Sequence, residues 1–400
     1  MEEWKEYKLG QVVTPVKDKI DTSALSVATY ISTENMLPNK SGITVSSNIP
    51  PGNAIHFQVG DILISNIRPY FKKIWMANKS GGCSADVVCL RATNIIDPHY
   101  LYFLLSQNLF FDYVMLGAKG TKMPRGDRNQ MMQWPVLLPP IQYQHKIASV
   151  LSSIDAKIDL NKRINDNLEQ QAKALFKSWF VDFEPFRDGE FVDSELGRIP
   201  QNWIVGTLRD LCVANKRTYN GKFVHEIQYI DTGSVTNNII ESIQTLNPVT
   251  DIIPSRARRA VTEGDIIYSS VRPNQKHYAF LYNPLPNTVV STGFVVLTAN
   301  WSGYRYYIYQ YLIQDEIIDK LQSIAEQSVS TYPTLNASDL TNLKIVIPPN
   351  NVIGDFASLC HSYIAQIYKQ QEESRRLAQL RDSLLPRLMS GELKVNEVTI

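Results

Sequence analysis

Cysteine is scarce. The four, Cys83, Cys89, Cys212 and Cys360, are scattered, with no CxxC pair and no histidine at ligand spacing. That pattern excludes a disulfide framework and a zinc site, and the four read as small reduced core residues. Long apolar runs are missing too. Nothing approaches the roughly 18 apolar residues that a membrane span needs. The opening "MEEWKEYKLGQVV" lacks the basic and apolar regions of a signal peptide. The expectation is a soluble, cytoplasmic chain with no membrane partner. Charge of one sign is also lacking: 40 Lys and Arg stand against 39 Asp and Glu, a net +1. There is therefore no global pull toward a polyanion, and any nucleic-acid surface must come from local clustering.

What is present is a repeat. Four hundred residues, 44% of them hydrophobic, support two or more domains, and the halves match part by part. "EEWKEYKLGQVV" at Glu2 to Val13 parallels "QNWIVGTLRDLC" at Gln201 to Cys212, each an aromatic followed by Leu. "GDILISNIRPYFKK" from Gly60 parallels "GDIIYSSVRPNQKH" from Gly264. After Gly-Asp the β-branched alternation predicts a half-buried strand, which the Arg-Pro pair stops because proline cannot donate to a sheet ladder. A second β-rich run follows, "ADVVCLRA" or "TGFVVLTA". Then comes a helix with aromatics every three or four residues, "PHYLYFLLSQNLFFDYVM" or "YRYYIYQYLIQDEIIDKLQ". A loop, "GAKGTKMPRGDRNQ" or "AEQSVSTYPTLNAS", leads into a short strand ending in a double proline, "WPVLLPP" or "LKIVIPP". From Thr121 to about Phe180 the register between the copies is free of gaps, which points to duplication.

Each Pro-Pro opens a long helix. Ile147, Leu151, Ile154, Ile158, Leu168, Ala172 and Leu175 recur at steps of three and four, with Asn161 and Asn165 as polar interruptions. Phe356, Cys360, Tyr363, Ile367, Leu377 and Leu384 take the same places in the second copy. Steps averaging about 3.5 residues make a supercoil seam that buries itself against another helix. The natural partner of each helix is the other. The seam alone fits either direction; the symmetry of two equivalent domains favours antiparallel. Between the copies, "FVDFEPFRDGEFVDSELGRIPQNW" has no periodicity and reads as an ordered linker. The resulting layout is mixed α/β (α+β). It comprises a globular domain at 1–140, a helical spacer at 141–185, a linker at 186–200, a second globular domain at 201–349 and a distal spacer at 350–400.

Taken together, the Trp-Leu starts, the Gly-Asp-strand-Arg-Pro motif, the segment "LPPIQYQHKIASVLSSIDAKIDLNKRINDNLEQQAKALFKSWFVDFEPF" and the closing "LAQLRDSLLPRLMSGEL" resemble the specificity subunit of type I restriction-modification systems. The likeness covers essentially the whole chain and is most specific in the helices. It implies two target recognition domains, each reading half of a bipartite site in double-stranded DNA, held apart by two antiparallel helices. It also implies two methyltransferase subunits docked on those helices and a motor-nuclease subunit beyond them. S-adenosylmethionine and ATP then belong to the partners, with no cofactor on this chain and no chemistry of its own.

The residues agree with that last point. None of the pairs Pro50-Pro51, Pro139-Pro140 and Pro348-Pro349 has the Asn/Asp-Pro-Pro-aromatic context with which an adenine methyltransferase holds its base. "GAKGTK" at Gly117 to Lys122 lacks phosphate-loop spacing and follows a helix, so it reads as a mobile basic loop. "PRGD" at Pro124 to Asp127 reads as a turn or phosphate contact, since nuclease metals need carboxylates in company. His145 reads as a solvated residue at a helix start. No catalytic or metal-ligating residue is assigned.

DNA contacts need Lys, Arg and polar donors on elements that can reach phosphates or a groove. In the first domain they are Arg68, Tyr70, Lys72 and Lys73, then Lys119, Lys122, Arg125 and Arg128. In the second they are Arg256, Arg258 and Arg259, with Arg272 and Lys276. Ser330 and Thr331 stand there in place of the first domain's basic loop. Tyr70, although in the basic cluster, and Tyr332 fit scaffold better than base stacking. The differing loops predict an asymmetric target. A helix of forty residues runs roughly 60 Å, more than one duplex turn of about 34 Å, so the unread gap should follow helix length. Two other readings remain: a coiled-coil adaptor with two ligand-binding lobes and no DNA, and a stand-alone DNA methyltransferase or nuclease.

Overall fold

Gly60 and Gly264 adopt φ of 90° and 78°, a turn open to glycine at no steric cost. The aspartate beside each closes it. Asp61 Oδ2 accepts the Gln58 N–H at 2.8 Å, and Asp265 Oδ2 accepts that of Thr262 at 2.8 Å. The strands Ile62–Ser65 and Ile266–Ser269 follow, and every residue in them is buried. The half-buried strand expected from alternation is corrected here. Ile62 and Ile64 face one core while Leu63 faces another, and Ile266 and Tyr268 are divided from Ile267 in the same way. Each strand separates two apolar cores.

The computed structural model describes residues 4–221, 225–327 and 333–398. They form two compact units, Met1–Asp159 with Ser374–Ile400, and Leu160–Glu373. In the first unit, one sheet orders Val13–Pro15, Val87–Ala92, Ile62–Ser65 and Ile74–Met76, and another orders Lys19–Asp21, Asn53–Phe57, Gly81–Cys83 and Tyr30–Ile31. The second unit repeats the first sheet with Cys212–Ala214, Phe294–Ala299, Ile266–Ser269 and Tyr278–Phe280, while its other sheet orders Gln244–Leu246, Ile227–Ile230, Thr288–Ser291 and Ala257–Ala260, with the parallel pair Ile227–Ile230 and Thr288–Ser291 at its centre and not at its edge. The strand after each Trp pairs antiparallel with the strand before each Pro-Pro, Lys5 opposite Leu138 and Ile204 opposite Ile347. All four cysteines are free and buried.

Two expectations change. The aromatic helix is broken in both copies, into Pro98–Leu105 and Asn108–Leu116, and into Tyr304–Leu312 and Asp315–Glu326. Gln107 and Gln314 are extended, with ψ of 146° and 137°, and each turns its side-chain amide back onto a carbonyl of the preceding helix, Leu104 or Gln310. The linker is built, too. It carries a hairpin, Phe191–Ser194 with Gly197–Pro200, and edge-on packing of Phe183 and Phe186 on Trp203 at 5.5 and 4.9 Å.

The long helices are Ile141–Phe180 and Asn350–Met389. In the first unit Ile147, Leu151 and Ile154 share a core with Leu384, Leu385 and Leu388, and Arg381 Nη1 meets Asp155 Oδ1 at 2.8 Å. In the second, Phe176 and Phe180 lie 6.2 and 4.8 Å from Phe356, while Asn161 Nδ2 donates to Glu373 Oε2 at 2.9 Å. Partners that descend as the first helix ascends make the pair antiparallel. Ile367 is buried, and Ile158, Leu168, Leu175, Leu377 and Tyr363 are half-buried. On the second helix Ile364, not Tyr363, takes the fully buried place. Asn161 is wholly buried, so the polar interruption lies within the seam.

Each outer lobe carries a two-residue tip in left-handed conformation. In the second unit the tip is Asn237 and Asn238, φ 47° and 64°. Asn238 Nδ2 donates to Glu169 Oε1 at 3.2 Å, and its carbonyl accepts from Gln371 Nε2 at 3.1 Å. In the first unit the tip is Asn39 and Lys40, φ 54° and 63°. The Lys40 ammonium, pulled below its ordinary range by burial, has Asp382, Arg381, Lys72 and Asp155 as its charged neighbours.

The Gly-Asp carboxylates predict unequal mutational costs. Asp61 is 1% exposed and is held by Arg91 through Nε and Nη2, both at 2.8 Å. Asp265 has Thr298 Oγ1 at 2.7 Å as well as Arg217 at 3.8 Å. Arg91→Ala strands a buried charge and is expected to cost about 3–5 kcal/mol, and Arg217→Ala clearly less, as read by urea denaturation. Glu169 gives a pH prediction. Burial raises its carboxyl pKa, against the pull of Asn238 and Lys173. A carboxyl with a higher pKa when folded costs stability as pH rises through that value and keeps costing above it. Glu169→Gln should therefore be more stable than wild type at neutral pH, with the difference closing below about pH 4, near the ordinary glutamate pKa.

Candidate nucleic-acid interface

The Arg-Pro motif builds the same turn twice. Arg68 and Lys72, φ 50° and 51°, bracket one 3-10 turn at Pro69–Phe71, and Arg272 and Lys276, φ 48° and 56°, bracket another at Pro273–Gln275. Non-glycine residues rarely enter this region without compensation. Here the compensation is a pair of short backbone bonds per turn, Lys72 N–H to Pro69 O at 2.8 Å and Lys276 N–H to Pro273 O at 2.9 Å among them. A lysine staple completes it. Lys72 Nζ donates to Asn108 Oδ1 and Lys276 Nζ to Asp315 Oδ1, each at 2.9 Å. Asn108 and Asp315 are the first residues of the second helix after each turn.

In the first unit the basic loop lies on this turn. Arg68 N–H donates to Pro124 O at 2.8 Å, Gly126 N–H to Asn66 O at 3.0 Å, and Lys119 and Arg125 exchange backbone bonds of 2.9 Å. The loop expected to be mobile is thus closed at its neck. Two clusters separate in sequence become one site. Within it Lys119 is 85% exposed and 3.5 Å from Asp127, and Lys122 is exposed. Arg125, 58% exposed, lies 3.4 Å from Asp86. Arg128 donates to the Ala85 carbonyl. Lys73 turns inward, its Nζ donating to Thr33 O at 2.7 Å, and burial lowers its pKa. Tyr70, expected as scaffold, is 46% exposed. Asp127 of "PRGD" is a helix cap, accepting from Asn129 and Gln130 N–H at 2.9 and 3.2 Å, and those bonds hold its carboxyl below the usual range. His145 is exposed but paired, its Nδ1 3.0 Å from Asp97 Oδ2; it is a bridge to the Pro98 helix and not a solvated cap.

In the second unit Arg272 N–H donates to Pro333 O at 3.2 Å, and Arg256 O accepts from Thr292 N–H at 2.8 Å beside Gly293, which accepts from Ser270. Arg258 is exposed on the edge strand Ala257–Ala260 and Arg256 is exposed in the turn before it, and Arg258 Nε donates to Ser255 O at 3.2 Å. Arg259 is half-buried, and burial lowers its pKa. Ser330, Thr331 and Tyr332 lie outside the described residues. Among the described residues no group of three or more His, Cys, Asp or Glu could hold a metal, and no helix is long and apolar enough to cross a membrane. The sequence reading passed over Phe71, Met123, Asn274 and the left-handed tips. The doublets Asn39-Lys40 and Asn237-Asn238 do carry a turn signal, since asparagine tolerates the left-handed region.

Comparison with known proteins agrees with this construction. The family described as "Type I restriction modification DNA specificity domain" matches residues 1–170 and 200–384, and the chain belongs to that family. It is 26% identical to the type I restriction enzyme HindI specificity subunit of Haemophilus influenzae over 98% of this chain and 100% of that one. It is 29% identical to the MjaIX specificity subunit of Methanocaldococcus jannaschii over 75% and 70% of the two. The crystal structure of a type I restriction-modification S subunit from M. genitalium shares its fold at a TM-score of 0.59, with 14% identity and coverage of 97% and 96%.

Proposed function

We propose that this chain is the DNA-reading subunit of a type I restriction-modification complex, each unit reading one half of an asymmetric bipartite target and directing adenine methylation and restriction by partner subunits. The observation that carries the reading is the stapled Arg-Pro turn, built twice on one scaffold with different side chains at its crest. One scaffold with two crests suits two half-sites of unlike sequence. In this reading the backbone of double-stranded DNA is met by Lys119, Lys122 and Arg125 in the first unit and by Arg256, Arg258 and Arg272 in the second. Ser330 and Thr331 remain candidates there. Lys72, Lys73 and Lys276 are assigned to holding the turns, since their ammonium groups already have partners. Arg128 and Arg259 support from the flank. Two methyltransferase subunits dock along the helices and motor-nuclease subunits join them. S-adenosylmethionine and ATP are held by those partners, and this chain performs no chemistry of its own.

Two outcomes test the reading. Adenine methylation mapped across the host genome with and without the gene should lose one asymmetric two-part motif. Inserting one or two helical turns near Asn165 should lengthen the tolerated gap in that motif and leave both half-sites unchanged; an altered half-site contradicts the assignment. Phosphate contacts also set the salt dependence of binding. Lys122→Ala is expected to lower the slope of log K against log salt by about 1 and to leave the sequence preference intact. A protein with no salt-dependent DNA affinity would instead be the adaptor, and methyl transfer or cleavage by the isolated chain would make it an enzyme.

A further inference from the structure

The crests of the two turns differ in kind. In the first unit the crest is Tyr70 and Phe71, 46% and 37% exposed, with ring centroids 4.7 Å apart. A contiguous apolar patch rimmed by polar groups marks an interaction site, and Lys73 Nζ, 5.8 Å from the Phe71 ring centroid, already stands at its edge. These two stand on a rigid base. Pro69 is buried beneath them, left-handed residues fix both ends, and the Lys72 to Asn108 bond ties the turn to a helix. Met123, 49% exposed, belongs to the loop that Pro124 fastens to Arg68. The rim of the patch is cationic, with Lys119, Lys122 and Arg125. An apolar crest inside a basic rim is complementary to a polyanion with an apolar interior, which describes a base stack between two phosphate backbones. In the second unit the same backbone presents Asn274 and Gln275, both exposed. The Asn274 amide can donate to and accept from a base edge at once, while Gln275 Oε1 lies 3.3 Å from His277 Nε2 and leaves its amide N–H as the group to offer.

We propose that the two units read DNA by different physical means: Tyr70 and Phe71, with Met123 beside them, wedge against the base stack and select an easily unstacked step, whereas Asn274 and Gln275 read base edges by hydrogen bonds. This rests on the DNA-reading assignment above and names the residues that determine specificity within it. Pyrimidine–purine steps unstack readily and A-tracts resist. The first unit therefore gains sequence preference without a hydrogen bond to any base. The second gains it from amide geometry, because a mismatched base leaves the amide's donor and acceptor unpaired.

The test uses the complex of the full chain with its methyltransferase subunits and duplexes carrying the genomically mapped motif. 2-Aminopurine is placed at one position at a time, leaving out the methylated adenine, whose own extrusion gives a signal. Wild type should raise the fluorescence at a step in one half-site only. Tyr70→Ala with Phe71→Ala should abolish that rise and weaken binding about tenfold, while Tyr70→Phe keeps both because stacking needs the ring and not the hydroxyl. Asn274→Ala should leave the fluorescence unchanged and relax one base position in the other half-site, read from genomic methylation. Tight binding with no rise at any step overturns the proposal, as does a double variant that binds like wild type. A double variant that no longer assembles with the methyltransferase would make the patch a protein contact and overturn it equally. Failure of the wild-type complex to prefer any DNA sequence would overturn the DNA-reading assignment itself.

Discussion

A forty-residue helix that is polar around most of its girth must bury its one apolar stripe or not persist, and this chain contains two. Each buries the stripe against the other. The seam is not uniformly greasy. Asn161 with Glu373, and Asp155 with Arg381, put polar pairs among the Leu, Ile and Phe contacts. Such pairs contribute little net stability, but they penalise a slipped register, because a slip leaves a buried donor or charge without its partner. Such pairs therefore specify one register of the seam.

The lobes are then fixed at more than one point. Strand pairing beside each Pro-Pro fixes the root of the lobe; in one unit the left-handed tip fastens its far side through Asn238 on Glu169 and Gln371, and in the other Asn39 and Lys40 donate their N–H groups to the Phe71 and Lys72 carbonyls at 2.8 and 3.0 Å. The lobe held to the helices at root and tip has little freedom to swing. The Arg-Pro turns take their orientation from that frame, since their basal lysines are bonded to Asn108 and Asp315 at the heads of helices. Orientation therefore reaches the crest residues through short, named hydrogen bonds.

The duplication, the Gly-Asp strands, the double-proline exits and the paired helices were legible in the sequence because each is local or periodic. Where the reading failed, the cause was a contact that no local pattern encodes. Alternation in "DILIS" is real, yet both faces are buried because a second core lies behind the sheet. The break at Gln107 and Gln314 has neither proline nor glycine to announce it. At the candidate site the types of residue were right in outline, but their use depended on folding. Lys72, Lys73 and Lys276 look identical in sequence to Lys119 and Lys122, and only the structure separates bonded ammonium groups from exposed ones. Tyr70 went the other way, an aromatic expected in the scaffold and found at the surface.

The internal repeat offers a comparison of its own, one backbone carrying two sets of side chains. What the copies share is what the fold requires: glycine where φ is positive, the buried aspartate, Arg-Pro, the lysine that closes the turn, and an Asn or Asp at the head of the second helix after the turn to receive it. What they do not share is Tyr70-Phe71 against Asn274-Gln275, and the basic loop against its hydroxyl-rich counterpart. A position that must hold the turn cannot change without losing a staple or straining a left-handed residue. The crest residues hold the turn through backbone atoms alone, as in Phe71 N–H to Arg68 O and Gln275 N–H to Arg272 O, and the side-chain staples belong to Lys72 and Lys276. The crest side chains can therefore differ while the scaffold stays the same.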